Sequence, residues 1–163
     1  MSFITAIEKK EFARIVRELY KTAQFREMNQ YIQHGNTTTL AHCIVVAYYS
    51  YQLALWLPLR FDYKSLIRGA LLHDFYLYDW HIPDRSHRLH GFVHPVFALS
   101  NAKKYFLINR IEEDIILKHM WPLTLKSAPG CREAVLVCFV DKYCSLAETL
   151  YLPIRPKKLP LYE

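Results

Sequence analysis

LAHCIVVAYYSYQLALWL, residues 40 to 57, is an eighteen-residue run without a formal charge. Its length approaches the roughly 20 apolar residues of a membrane-spanning helix. His42, Ser50 and Gln52 interrupt it, no second comparable span follows, and Arg60 and Asp62 come soon after Pro58. It therefore reads as the central helix of a soluble core, buried on most sides. The composition agrees, because 52% apolar and 22% charged residues are globular values, and four glycines among 163 residues are too few for a turn-rich all-β fold. The expected fold class is all-α, a single domain of about six helices.

Working outward, Ile7, Phe12, Ile15, Val16, Leu19, Tyr20, Ala23 and Met28 recur at three- and four-residue steps, which predicts an amphipathic opening helix from Thr5 to about Tyr31 with room for one break. His34-Gly35-Asn36 ends it, and Thr37, Thr38 and Thr39 offer an N-cap to the central helix. Pro58 closes that helix. Asp62 is the expected cap of the next one, which runs through Leu66, Ile67, Ala70 and Leu71 and carries His73-Asp74 near its end. A polar segment, DWHIPDRSHRLHG from Asp79 to Gly91, follows as the longest loop-like stretch. Pro95 suits the first turn of another helix and would leave His94 just outside it, in a non-helical conformation. Asn109 and Glu112 form a capping-box pattern for a short helix ending near His119, before Trp121-Pro122. After Ala128-Pro129-Gly130 comes the last helix, CREAVLVCFVDKYCSLAETL. The tail from 151 to 163, YLPIRPKKLPLYE, is basic and holds three prolines.

The net charge of +6 and a pI near 9.1 favour anionic partners. No specific nucleic-acid motif accompanies that charge. The cysteines Cys43, Cys131, Cys138 and Cys144 form no C-x-x-C pair, and three sit in apolar runs, as reduced core thiols do. Glu8, Lys9, Lys10 and Glu11 stand where an export signal would be apolar, so a cytoplasmic protein without a membrane anchor is expected. G-x-G-x-x-G, P-loop and G-x-S-x-G patterns are absent.

The chemistry begins with Asp141. Ala134 to Val140 lead into it without a polar residue, and a carboxylate at such a position is costly unless a cation or several donors meet it. The alternatives are a salt bridge to an arginine such as Arg68, or exposure beside Lys142. His42 interrupts the central apolar helix in the same way, and His73-Asp74 follows another apolar turn. Three apolar helices each placing a histidine or aspartate inside are explained together by one shared metal.

In chain order the pattern is His42, His73-Asp74, His94, His119 and Asp141. A histidine, an adjacent His-Asp pair and a distant aspartate, on separate helices, resemble the HD-domain superfamily of metal-dependent phosphohydrolases. The resemblance spans about residues 38 to 148. It implies that His42, His73, Asp74 and Asp141 bind one metal. In the binuclear branches two further histidines lie between the pair and the last aspartate, and His94 and His119 match them in order. The paired aspartate, here Asp74, then bridges both ions and becomes the residue on which catalysis most depends. The implied cofactor is one or two divalent ions, and a donor set of imidazoles and carboxylates without thiolate suits Mn, Fe, Co, Ni or Zn. The implied reaction is hydrolysis of a nucleotide or other small phosphate ester by a metal-activated hydroxide. A minority of proteins with this bundle and pattern are di-iron oxygenases, and a non-catalytic metal-bound sensor domain is the third expectation.

Arg85 and Arg88, on the loop between the His-Asp pair and His94, are candidate phosphate-binding residues because a guanidinium offers paired donors. Lys142, beside Asp141, is a weaker candidate for the same task. His34, His81, His87 and His90 have no place in the pattern and read as solvated loop histidines.

Overall fold

The computed structural model describes residues 5–85 and 88–154, so His87 and tail residues 155–163 lie outside the described part. Seven α-helices are present there: α1 (Ala6–Tyr20), α2 (Ala23–Glu27), α3 (Thr39–Trp56), α4 (Tyr63–Leu72), α5 (His90–Tyr105), α6 (Arg110–Lys118) and α7 (Arg132–Thr149). A 3-10 turn (Met28–Gln30) and a two-stranded antiparallel hairpin, β1 (Ile32–His34) and β2 (Thr37–Thr38), connect α2 to α3. The result is an all-α bundle, as the composition implies.

The charge-free run forms α3, with Thr38 as its cap accepting from Ala41 N at 3.2 Å and the helix ending just before Pro58. Around it α4 and α7 pack directly, while α6 lies against both α4 and α7. Burial on most sides is why α3 tolerates no charge. Among the described residues, no helix is long and apolar enough to cross a membrane.

The opening helix breaks after Tyr20. Arg26 folds back so that Nη1 donates to the carbonyls of Tyr20 and Lys21 at 2.6 and 2.9 Å, satisfying acceptors that α1 leaves open at its end. Phe12, Ile15, Val16 and Leu19 form the buried stripe of α1. The stretch expected as a simple helix end at His34-Gly35-Asn36 is instead the hairpin turn. Gly35 has φ +53°, and a Cβ there would meet the carbonyl oxygen of Glu148 at 2.9 Å, so the turn can press against the end of α7 only with glycine.

Asp62 caps α4 by accepting from Ser65 N at 3.0 Å. Gly69 lets α4 approach α6 closely, since a Cβ there would sit 2.5 Å from Ile115 Cδ1. Arg68 Nε donates to Glu112 Oε1 at 2.5 Å and Arg68 Nη2 to the Leu107 carbonyl at 3.0 Å, pinning the same two helices. Glu112 also completes the capping box with Asn109 that the sequence indicates for α6.

One expectation is corrected. His94 is not outside the helix: α5 starts at His90 and Pro95 lies inside it. Proline there leaves the carbonyl of Gly91 without its helical N–H partner and crowds it with the ring, a local cost that α5 carries in its second turn. The helical placement matters because it turns the His94 ring inward, with 3% exposure.

Candidate metal centre

Five elements deliver six ligand-type side chains to one buried point. His42 lies in the first turns of α3, His73 is the C-cap of α4 with Asp74 directly after it, His94 is in α5, His119 is the C-cap of α6, and Asp141 sits in the middle of α7. All six are buried. Their ligand atoms form three overlapping groups, each within 4.8 Å: His42, His73 and Asp74; His73, His119 and Asp141; Asp74, His94 and His119.

The tautomers follow from the partners. His73 Nδ1 lies 2.7 Å from the Ala70 carbonyl oxygen, His94 Nδ1 2.8 Å from that of His90, and His119 Nδ1 2.9 Å from that of Ile116. A carbonyl only accepts, so each Nδ1 carries the proton and donates. His42 Nδ1 makes the equivalent bond to Glu148 Oε2 at 2.8 Å. Four imidazoles therefore turn their Nε2 atoms inward, an orientation that a metal ligand acquires when its other nitrogen is tied down.

What those inward atoms meet is other ligand atoms. His94 Nε2 and His119 Nε2 stand 2.8 Å apart, a separation that two nitrogen lone pairs sustain only with a proton or a cation between them. His42 Nε2 is 3.0 Å from Asp141 Oδ1, and His73 Nε2 is 3.3 Å from Asp74 Oδ2 and 3.5 Å from Asp141 Oδ1. Asp74 divides its oxygens: Oδ2 faces His73, while Oδ1 is 3.1 Å from His94 Nε2 and 3.4 Å from His119 Nε2. Asp74 Oδ1 and His73 Nε2 are buried without a hydrogen-bond partner. Unpaired polar atoms at the middle of such a cluster are expensive unless an ion satisfies them. These residues fit a divalent cation.

Charge balance points the same way. Burial pushes both carboxyl groups up, but the imidazoles reverse it, His73, His119 and His94 at Asp74 and His42 and His73 at Asp141, holding both well below the usual carboxylate range. Burial would lower His42, and Asp141 and Glu148 outweigh it, raising the imidazole to about 10. His73 is raised well above its ordinary value by Asp74, Cys43 and Asp141 acting against burial. Without a cation the carboxylates thus draw protons onto His42 and His73, whereas burial holds His119 below its ordinary value; a divalent ion would take the place of those protons. Arg68, the rival partner for Asp141, is bonded to Glu112 instead, and Asp141 is 5% exposed, so neither bland alternative describes it.

Several supporting residues escaped the sequence reading. Gln33 Nε2 donates to Asp74 Oδ2 at 2.5 Å, and its carbonyl oxygen accepts from Tyr76 OH, which fixes the amide orientation. Glu148 orients His42. Asn101 Nδ2 donates to the carbonyls of Phe75 and Tyr76 at 3.0 Å each, clamping the chain just after Asp74 where Leu77 adopts φ 58°. Glu148 had a legible signal, lying two helical turns beyond Asp141 on the same face of α7. Gln33 had none, because a hairpin brings it in.

Arg85 and Arg88 are exposed and line a cavity of about 510 Å³ with Trp80, Ile82, Asp84 and His90. His90 connects that cavity to the cluster: its ring stacks on His94 at 4.5 Å and on Trp80 at 5.1 Å, and Tyr78 OH lies 2.9 Å from its Nδ1. His90 is therefore no solvated loop residue. Neither is His34, half-buried with its ring edge against His42 at 5.4 Å. His81 is exposed. Lys142 is occupied elsewhere, donating to the His119 carbonyl at 2.7 Å and the Cys138 carbonyl at 3.4 Å, so its contacts are those of a brace between α7 and the end of α6 rather than of a phosphate-binding group.

A helical bundle holding a buried cluster of histidines and aspartates that can bind metal is compatible with the HD-like arrangement the sequence resembles. No protein-family model, no curated protein and no solved structure matches the chain.

Proposed function

We propose that the chain is a metal-dependent phosphohydrolase of the HD type, acting on a nucleotide or another small phosphate ester. The observation carrying this reading is the division of Asp74 between two groups of donors, since one carboxylate shared by two sets of imidazoles is the arrangement of a two-ion site. His42, His73, Asp74 and Asp141 would hold one ion, and Asp74, His94 and His119 the other. Bound there, the ions supply activated water and neutralise the charge that gathers on a phosphoryl group. In the net reaction a P–O ester bond breaks, a water oxygen joins phosphorus, and the leaving oxygen takes a proton.

The residues of this chain serve that reaction in separable ways. Glu148 and the carbonyls of Ala70, His90 and Ile116 keep the ligand imidazoles in the required tautomer. Gln33, itself held by Tyr76, fixes the Asp74 carboxylate through Oδ2 and leaves Oδ1 turned toward His94 and His119. Arg85 and Arg88, on the cavity that His90 joins to the cluster, would receive an anionic part of the substrate. The donor set favours Mn, Fe, Co, Ni or Zn.

The test is metal analysis of the purified protein, followed by turnover of nucleoside monophosphates, cyclic nucleotides and simple phosphate esters with each of these ions. Metal-dependent release of phosphate or of an alcohol supports the reading. A coloured two-iron centre that consumes dioxygen and hydrolyses none of these esters would replace it with an oxygenase.

A further inference from the structure

The helix that carries Asp141 is apolar on its outer side as well. Between Arg132 and Thr149 the exposed positions of α7 are Val135, Phe139, Tyr143 and Leu146, an uncharged stripe at steps of four, four and three residues. Beside it, Trp56 at the end of α3 is 70% exposed, and Phe139 and Tyr143 are 60% and 62% exposed. Between the two helices runs a groove of about 670 Å³ lined by Tyr49, Gln52, Leu53, Trp56, Phe139 and Tyr143. A contiguous exposed apolar patch of this kind marks a surface on which another molecule docks. Among the described residues nothing covers this side of α7.

We propose that a second copy of this chain covers it, the two α7 helices meeting about a two-fold axis. Three observations favour that occupant. First, a two-fold interface uses the same patch twice and so needs projections and a recess side by side; here the rings of Phe139, Tyr143 and Trp56 stand on the rims of the groove they would fill in the partner. Second, the area is of the order a dimer needs. At roughly 200 Å² per aromatic side chain, Trp56, Phe139 and Tyr143 expose on the order of 400 Å². Val135, Leu146 and Leu53 extend this toward the roughly 800 Å² per partner of a standard interface. Third, each chain carries +6, and this uncharged face lets two like-charged copies meet without opposing charges of one sign.

Phe139 and Tyr143 lie on the side of α7 opposite Asp141, so association and metal binding are separable. The experiment is light scattering on the full-length protein eluting from a gel-filtration column, with the Phe139→Glu, Tyr143→Glu and Trp56→Lys variants in parallel. The wild type is expected at twice the 19.4 kDa of one chain. Each variant should weaken the dimer roughly thirtyfold or more, as loss of a central contact does, with circular dichroism and metal content unchanged. Because Trp56 is on a different helix, misfolding of the α7 variants would not leave the question open. A monomeric wild type overturns the proposal, as does a dimer that persists in all three variants. The chain's own end is the competing occupant, since Tyr49 OH donates to the Ile154 carbonyl at 2.6 Å on the rim of the groove. A wild type that dimerises only after residues 155–163 are removed would identify that end as the cover and overturn the two-fold dimer.

Discussion

Asp74 Oδ2 faces His73 at 3.3 Å and His42 at 3.8 Å, and both of those imidazoles also face a second carboxylate, Asp141, whereas Asp74 Oδ1 faces the imidazoles of His94 and His119. The supports differ too. The first half draws its ligands from α3, α4 and α7, with α3 packed against both of the others, and His42 is backed by the carboxyl group of Glu148. The second half relies on backbone carbonyls, and its His94 lies beneath His90 next to the open cavity. Two carboxylates against one means that the first half balances a divalent cation more completely. On the proposed reading it should bind first and release last, while the second half, beside the cavity lined by Arg85 and Arg88, should exchange its ion more readily.

The largest expected effect abolishes the comparison. Asp74→Ala removes the one group common to both halves and should lose both ions, with hydrolysis at background; metal stoichiometry of the purified variant measures this directly. Full metal content and full activity in Asp74→Ala would remove the basis of the metal centre. Next in size, Asp141→Ala should empty the first half, and His94→Ala or His119→Ala should release only the second ion. If all three variants lose the same ion, the asymmetry argued from charge is wrong. Chelation of the wild type should lower the melting temperature, because the buried carboxylates lose the cation that compensates them.

Of the candidate ligands, His42, His73, Asp74 and Asp141 were legible because each is a polar side chain in an apolar run, where an uncompensated group is costly, while His94 and His119 were found only through their order in the pattern the sequence resembles. Helix boundaries were legible for a related reason: Thr38, Asp62 and Asn109 each satisfy an N–H that a helix start leaves open. Long-range placement was not. Gln33 reaches Asp74 across 41 positions through a hairpin that two- and three-residue strands barely announce. Lys142 misled for a geometric reason, since neighbours on a helix point about 100° apart, and the turn that aims Asp141 inward carries Lys142 to the His119 carbonyl. Pro95 misled in the opposite sense, because a proline that starts a helix and one lying a turn inside it look alike in sequence.

A smaller effect sharpens the contrast between the supports. Glu148→Gln keeps the size of the side chain but lets an amide face His42 Nδ1, weakening the carboxylate partnership without removing a ligand. Loss of such a partner typically costs about 10- to 100-fold in metal affinity or activity. The loss should fall on the first ion, read by competition with a chelator, and leave the second unaffected. Equal weakening of both ions would mean that Glu148 acts through the bundle as a whole.

The smallest effect concerns the approach to the second half. Arg85 and Arg88 are exposed, and an exposed charge contributes at most about 1 kcal/mol to an ion pair, so each replacement by alanine should raise KM only several-fold. Metal content should stay intact, since neither guanidinium belongs to the cluster. Salt separates this from a packing defect: added salt weakens attraction between exposed charges, with a screening length of about 8 to 10 Å near physiological ionic strength. The gap in KM between wild type and the double variant should therefore narrow as salt rises, while kcat changes little. If KM is unchanged at low salt, the cavity beside His90 does not grip phosphate. Substrate would then have to be held by the ions alone, and the asymmetry between the halves would concern metal affinity only.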